Sequence, residues 1–170
     1  MVRCALTGTP GTGKTSISDF LDTKVVHLSD YYEEASEGKT KSGEWLIDLD
    51  KINTIVNKAN LKEVFYEGHT SHTLDNLEMV IILRCDTPVL GKRLTKRNYS
   101  KEKINENLEA EALNIIFEEA IKNISEDKIF QLDTTDQTPE QSAKKLSNFM
   151  NGNIKLDESY DYSERIMEWY

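Results

Sequence analysis

One eight-residue segment, Gly8–Thr15 with the sequence GTPGTGKT, constrains the fold more than any other feature of the chain. It matches G-x-x-x-x-G-K-[ST], follows the short apolar run Val2–Thr7, and precedes a segment with helical spacing, Lys14–Leu21. Its glycines let backbone N–H groups curl round a phosphate, and the helix N-terminus adds a partial positive charge beneath the anion. The segment therefore predicts a phosphate-binding loop (P-loop) between a buried strand and a helix.

The polar side chains of this loop predict which phosphate compound it binds. A lysine at the place of Lys14 reaches the β- and γ-phosphates of a nucleotide, and the Thr15 hydroxyl can ligate Mg²⁺. We therefore expect ATP with Mg²⁺. The predicted nucleotide-binding residues here are Gly8, Pro10, Gly11, Thr12, Gly13, Lys14, Thr15 and Ser16.

Strand and helix patterns alternate along the rest of the chain. Further strands are predicted at Lys24–Leu28, Glu63–Tyr66, Met79–Cys85 and Lys128–Leu132. Helices are predicted from Ser29-Asp30 to Ala35, over Leu49–Ala59, from Pro88 to about Arg97, from the N-cap Ser100 to Ala120, and over Pro139–Met150. The polar stretch Glu37–Gly43 is predicted to be a loop. This alternation indicates a doubly wound α/β sheet in a single domain, residues 1–170.

A P-loop needs a second metal anchor, normally an acid at the end of a neighbouring strand. Glu67 closes the third predicted strand and is the best candidate, so we expect Thr15 and Glu67 to hold Mg²⁺. His69 follows, where it is able to position water or the transferring phosphate. The alternatives are a solvated carboxylate for Glu67 and polar surface for His69 and His72.

Phosphoryl transfer also needs cations that offset charge on the equatorial oxygens. Arg93 and Arg97 are four residues apart at a predicted helix end, so they share one face just before the break at Asn98-Tyr99-Ser100. That arrangement suits a hinged lid over ATP, and a solvated helix face is the alternative. Arg84 ends the fourth strand and faces either a phosphate acceptor or a carboxylate.

The segment Leu132–Pro139 joins the fifth strand to the last helix at the carboxyl edge of the sheet. Nucleotide bases bind at this edge in doubly wound folds, so we place the adenine of ATP beside Thr134. An ordinary capped turn is the alternative.

Charge and composition exclude several classes of function. The net charge of −9 argues against broad contact with nucleic acid or anionic membrane, and the longest apolar run, Met79–Leu83, is too short to span a membrane. Cys4 and Cys85 lie in apolar runs and indicate buried thiols in a reducing compartment. Because the chain enters a strand almost at once, we expect no signal peptide and a cytoplasmic location. GTPases are set aside because no Asn-Lys-x-Asp motif occurs. AAA-type ATPases are set aside because they have a longer stretch before the P-loop and a second helical domain.

Together these motifs resemble the adenylate kinase isoenzyme 6 family, small P-loop proteins also described as ribosome-assembly ATPases. The resemblance covers about residues 1–150 and rests on Gly8–Thr15, Glu67-Gly68-His69, Leu83–Thr87, Arg93–Ser100 and Lys103–Glu111. It implies a three-layer P-loop kinase fold with strand order 2-3-1-4-5. It also implies a monophosphate-binding region at about residues 29–60, a lid near residues 97–107, and a C-terminal tail, residues 151–170.

The resemblance further implies ATP:AMP phosphoryl transfer with associated ATPase activity, and a basic protein of the small ribosomal subunit as partner. The catalytic residues would be Lys14, Glu67, His69, Arg93 and Arg97. Residues 29–60 contain no arginine, although adenylate kinases usually hold the AMP phosphate with one, and Lys39 or Lys41 is the substitute. An ATP-hydrolysing assembly factor is therefore the main alternative, and another small-molecule kinase, such as a shikimate kinase, is a third possibility.

Overall fold

The computed structural model describes residues 2–41, 43–156 and 159–169, and it describes side chains as far as Met167. Its strands are β1 (Arg3–Gly8), β2 (Val25–His27), β3 (Ser36–Lys39), β4 (Trp45–Ile47), β5 (Val64–Glu67), β6 (Met79–Arg84) and β7 (Ile129–Asp133). Its α-helices are α1 (Lys14–Ser18), α2 (Tyr32–Ala35), α3 (Leu49–Ala59), α4 (Thr87–Lys96), α5 (Lys101–Ala112), α6 (Ile115–Ala120) and α7 (Pro139–Met150). Short 3₁₀ helices occupy Leu28–Tyr31, Ser71–Thr73, Glu126–Lys128 and Ser163–Trp169.

Five strands form a parallel sheet in the order β2-β5-β1-β6-β7. Counted along the chain within this sheet, the order is 2-3-1-4-5, which confirms the predicted P-loop kinase topology. Strands β1 and β6 lie at the centre, and almost every residue of both is buried because helices cover both faces of the sheet. The P-loop therefore begins at the end of a deeply buried strand, β1.

Each face of the sheet packs against its own helices. Alternate residues of β1 divide between the faces: Cys4 and Leu6 pack with Leu146 of α7, whereas Ala5 packs with Ala120 of α6. This period of two is the side-chain alternation of a strand. The two cysteines are buried free thiols, as predicted.

Local signals set several helix ends as predicted. Pro88 lies in the first turn of α4, and the Ser100 hydroxyl accepts the Lys103 N–H at 3.2 Å, which caps α5. Helix α1 is shorter than predicted because the chain after Ser18 continues as turns: the N–H groups of Phe20 and Leu21 bond to carbonyls three residues back.

Two stretches differ from the predictions. The predicted loop Glu37–Gly43 begins inside a strand, because β3 and β4 form an antiparallel hairpin. Its β3 residues are mostly exposed, so no apolar alternation marked them. The helix predicted from Ser100 to Ala120 is two helices, since Asn114 adopts the left-handed conformation (φ 54°), which asparagine tolerates.

The described part of the chain contains no helix both long and apolar enough to cross a membrane.

Candidate active site

The P-loop requires glycine at specific points of its backbone. Gly11 and Gly13 have φ angles of 94° and 100°, in the left-handed region that glycine adopts without strain. A Cβ atom on Gly8 would lie 2.6 Å from the Leu83 carbonyl oxygen, and one on Gly11 would lie 2.8 Å from Leu90 Cδ1. Helix α1 begins at Lys14, directly after this turn, so its free N–H groups face the centre of the loop.

The Lys14 side chain is hydrogen-bonded to the backbone of the P-loop. Its Nζ donates to the carbonyl oxygens of Gly8 at 2.7 Å and Thr9 at 3.1 Å. Burial lowers the pKa of Lys14 to about 8, and the carboxylates of Glu67 and Glu111 oppose that shift. The ammonium form therefore predominates at neutral pH, where it can pair with phosphate oxygens.

Glu67 lies against Thr15 at the end of β5. One carboxylate oxygen accepts the Thr15 hydroxyl at 3.5 Å, and the other lies 2.7 Å from His27 Nδ1. Only 5% of Glu67 is exposed. Oxygen donors of this kind fit Mg²⁺, which keeps several water or phosphate ligands and needs few from the protein. The described residues contain no cluster of three or more acids, histidines or cysteines that could hold a metal ion.

His69 and His72 have different environments. The His69 ring lies beside the cleft, with Nδ1 3.4 Å from the Tyr32 hydroxyl. Burial, then the nearby Lys14 charge, lowers the pKa of His69, so the ring is neutral at pH 7 and able to accept a proton. His72 is buried between the Thr7 hydroxyl (3.1 Å) and Glu119 (2.9 Å), outside both cavities described below.

The three candidate arginines separate into distinct roles. Arg93 donates to the Thr134 carbonyl at 2.7 Å and the Thr135 carbonyl at 3.2 Å, which fixes it between the P-loop and the loop after β7. Arg97 lines the cleft, and its side chain has no hydrogen bond or ion pair among the described residues. Arg84 is 1% exposed and bonds Glu111 at 2.8 Å, so it faces a carboxylate and not a phosphate acceptor.

Two cavities meet at the P-loop. The first, of about 220 Å³, is lined by Pro10, Gly11, Gly13, Lys14, Thr15, Ser29, Tyr32, Glu67, Gly68, His69, Arg97 and Tyr99. The second, of about 310 Å³, is lined by Gly11, Thr12, Gly13, Ser16, Ile17, Arg93, Lys96, Arg97, Thr134, Gln137, Pro139 and Ser142. They share Gly11, Gly13 and Arg97. Every residue named as catalytic or nucleotide-binding from the sequence, apart from Gly8 in the wall beneath the loop, lines one of them.

Sequence reasoning missed three residues of this region: His27, Tyr32 and Glu111. His27 ends β2 next to the end of β5, and the rule that parallel strands end at one edge would have indicated it. Tyr32 was assigned only to a helix. Glu111 had the pattern of an ordinary helix-surface acid, yet it accepts hydrogen bonds from Thr9 and Arg84, and nothing in its local sequence marked that role.

Curated relatives resemble this chain over most of its length. A protein of Halobacterium salinarum named "Putative adenylate kinase" is 38% identical over 156 residues, 89% of this chain and 91% of that protein. Equally named proteins of Pyrococcus furiosus (36% identity, covering 89% and 85%) and Methanosarcina acetivorans (35%, covering 96% and 95%) are also similar. The chain belongs to the adenylate kinase family of these relatives. The family resemblance inferred from the motifs is thereby confirmed.

A family model described as an AAA domain also matches this adenylate kinase family member, over residues 5–114, so the chain belongs to that family as well. This corrects the sequence argument that set aside AAA-type ATPases. The exclusion was based on two features of AAA-type ATPases, a longer stretch before the P-loop and a second helical domain. The match instead rests on the shared core from β1 to the end of α5, with the P-loop and the first β-α crossings.

Solved structures agree on the fold. A shikimate kinase from Acinetobacter baumannii in complex with shikimate superposes with a TM-score of 0.63 at 15% identity, covering 90% of this chain and 94% of that one. TT1252 from Thermus thermophilus gives 0.59 at 13% identity, covering 90% and 98%. Identities this low show the fold alone. Membership in the adenylate kinase family, together with the P-loop, identifies the chain as a P-loop phosphotransferase that binds a nucleotide.

Proposed function

We propose that the chain is a nucleoside monophosphate kinase that transfers the γ-phosphate of ATP to AMP and yields two molecules of ADP. The observation that supports the proposal is the 220 Å³ cleft, because the P-loop and Arg97 line it together with Ser29 and Tyr32 of the region 29–60. The donor phosphate would enter from the P-loop side. The acceptor would approach from the region 29–60.

The donor side supplies binding and charge. The loop N–H groups and Lys14 would bind the β- and γ-phosphates, and Thr15 with Glu67 would hold Mg²⁺. When bound, the ion neutralises charge that develops on the transferring phosphoryl group. Arg97, which no acid neutralises among the described residues, is able to add a second positive charge to the equatorial oxygens. The adenine of ATP would occupy the 310 Å³ cavity beside Thr134.

On the acceptor side, a phosphate oxygen of AMP forms the new bond to the γ-phosphorus as the bond to the β,γ-bridging oxygen breaks. The residues at about 29–60 would bind AMP, and those near 97–107 would close over it. Lys39 lies 3.9 Å from the centre of the Trp45 ring on the hairpin, and neither Lys39 nor Lys41 lines the cleft. The AMP phosphate would therefore depend on Arg97 and Lys14, at the shared end of the cleft.

A second candidate is ATP hydrolysis that drives assembly with a basic protein of the small ribosomal subunit. It is favoured by the absence of arginine from residues 29–60 and by the neutral His69 beside Glu67, which is suited to orient a water molecule. The net charge of −9 would favour a basic partner.

Products distinguish the two reactions. Purified protein is incubated with ATP and Mg²⁺, alone and with each of the four nucleoside monophosphates, and ADP and free phosphate are measured separately. We expect ADP to rise with AMP consumption, little free phosphate, and slower reaction with GMP, CMP and UMP. Phosphate release at one rate with or without AMP would reject the kinase in favour of hydrolysis.

A further inference from the structure

The last described segment of the chain, residues 159–169, lies across the carboxyl ends of β6 and β7. The Tyr162 hydroxyl donates to Asp133 at 3.2 Å. Arg165 makes a two-pronged ion pair with Asp86, Nε to Oδ1 at 3.0 Å and Nη2 to Oδ2 at 2.7 Å. The Tyr160 carbonyl accepts from Arg84 at 3.1 Å. We call this segment the C-terminal strap.

One chain of contacts connects the strap to the P-loop. The Arg84 guanidinium carbon lies 5.2 Å from the centre of the Tyr162 ring, and its Nε donates to Glu111 at 2.8 Å. The other Glu111 oxygen accepts the Thr9 hydroxyl at 2.5 Å. Thr9 is the second residue of the P-loop. The strap therefore covers Arg84. Glu111, the carboxylate partner of Arg84, in turn holds the P-loop at Thr9.

A second chain of contacts connects the strap to the cavity assigned to adenine. Asp133, which accepts from Tyr162, also accepts the Thr135 N–H at 2.9 Å. The Thr135 hydroxyl accepts the backbone N–H of Asp86 at 2.9 Å. Both residues that bind the strap therefore also hold this turn, Asp133 through its carboxylate and Asp86 through its backbone. The carbonyls of the same turn receive the Arg93 guanidinium, at 2.7 and 3.2 Å.

Hydrogen bonds and an ion pair hold the strap at Tyr162 and Arg165. Met167, two residues after Arg165, is 80% exposed. The Trp169 side chain and Tyr170 lie outside the described residues. The ion pair with Arg165 also offsets the negative charge of Asp86, the N-cap residue of helix α4.

We propose that the C-terminal strap is part of the nucleotide site and that Tyr162 and Arg165 are positioning residues for ATP. Neither residue lines the two cavities, so they act through Arg84, Glu111 and the turn at Thr135. The inference rests on the proposed function only in taking ATP as the ligand of the P-loop.

The test compares four single variants of the full chain: Arg165→Ala, Arg165→Lys, Tyr162→Phe and Met167→Ala. Titration calorimetry with ATP and Mg²⁺ gives each Kd, and thermal unfolding without nucleotide gives each midpoint. We expect Arg165→Ala to raise the Kd for ATP about fivefold and Tyr162→Phe about twofold. Arg165→Lys should restore part of the affinity, because it keeps the charge but not the two-pronged geometry. Met167→Ala should match the wild type.

The measurement separates an effect on the site from an effect on folding. If Arg165→Ala lowers the unfolding midpoint but leaves the Kd for ATP unchanged at 25 °C, the strap stabilises the fold only and the proposal is overturned. If the wild-type chain binds ATP but transfers no phosphate to AMP, the proposed kinase activity is rejected. The strap proposal is then still decided by the Kd values of the variants relative to wild type. A wild-type chain that binds no ATP overturns both.

Discussion

The two sides of the cleft are built differently. On the donor side, buried side chains cross-link the P-loop: Thr9 to Glu111, Lys14 to two loop carbonyls, and Arg93 to the turn after β7. On the acceptor side, the exposed β3–β4 hairpin contacts helix α5 through an exposed ion pair, Lys103 to Glu44 at 2.7 Å. These buried cross-links fix the backbone of the P-loop, so we infer that its N–H groups are preorganised for the phosphates of ATP.

This difference has a consequence for function. Buried hydrogen-bonded charges tolerate little change, whereas exposed ion pairs contribute only about 0–1 kcal/mol each. Variants on the donor side should therefore weaken ATP use itself, whether in rate or in Mg²⁺ requirement. Variants on the acceptor side should change only how well AMP competes with water for the γ-phosphate.

The largest effect is expected from Lys14→Ala. Removing a preorganised cation from the transferring phosphate costs about 100-fold to 1,000-fold in rate, and the loop carbonyls of Gly8 and Thr9 also lose their partner. Initial rates of ADP formation measure the effect, with the exposed Lys24→Ala as the matched control. Activity within threefold of wild type would show that the P-loop lysine is not in contact with the reacting phosphate.

The next largest effect is expected from Glu67→Gln, which keeps the size of the side chain and removes its charge. Loss of a metal anchor should raise the Mg²⁺ concentration needed for half-maximal rate at least about tenfold. A Mg²⁺ titration at fixed ATP measures this, and Glu63→Gln, at an exposed position near the other end of the same strand, is the control. An unchanged Mg²⁺ dependence would remove Glu67 from the metal site.

A smaller effect is expected on the acceptor side from Lys103→Glu, which adds a third carboxylate beside Glu44 and Glu106. We expect the KM for AMP to change by up to about fivefold while the Kd for ATP stays constant. Steady-state kinetics with AMP varied measures the change. The double variant with Glu44→Lys reverses the pair and should recover the wild-type KM. If the double variant does not recover the wild-type KM for AMP, or if the Kd for ATP changes, the proposed division into a donor side and an acceptor side is contradicted.

The smallest effect is expected in the pH dependence of stability. Burial lowers the pKa of His72, so below the unfolded value of about 6.5 the unfolded chain binds more protons than the folded one. The contribution of His72 is complete above pH 6.5 and is lost as pH falls toward its folded pKa. Urea unfolding at pH 7.5 and 5.5 should show a smaller loss on acidification for His72→Gln than for wild type. An equal loss in both proteins would contradict the buried neutral ring.

The parts of the molecule that were predictable carry strong local signals. Strand β6 is a continuous apolar run, and the P-loop matches a specific motif of fixed spacing. Pro88, Ser100 and Pro139 mark helix starts. The predicted strand order needed the family resemblance, because nothing in the spacing of apolar runs states which strands are neighbours.

The parts that were not predictable depend on contacts between distant residues. Ser36–Lys39 is polar and solvent-exposed, so its strand character follows only from pairing with Trp45–Ile47. Glu111 resembles any surface acid of a charged helix until Thr9 and Arg84 are brought beside it. The contacts of Tyr162 and Arg165 join residues 29 and 79 positions apart, and no pattern in an acidic tail indicates them.

The most direct test of the central claim follows the γ-phosphate itself. ATP labelled with ³²P at the γ-position is mixed with unlabelled AMP, Mg²⁺ and the purified chain, and the products are separated after a single turnover. The account predicts that the label moves to the β-phosphate of ADP. Label found in free phosphate, in equal amount with and without AMP, would contradict it and would make water the acceptor.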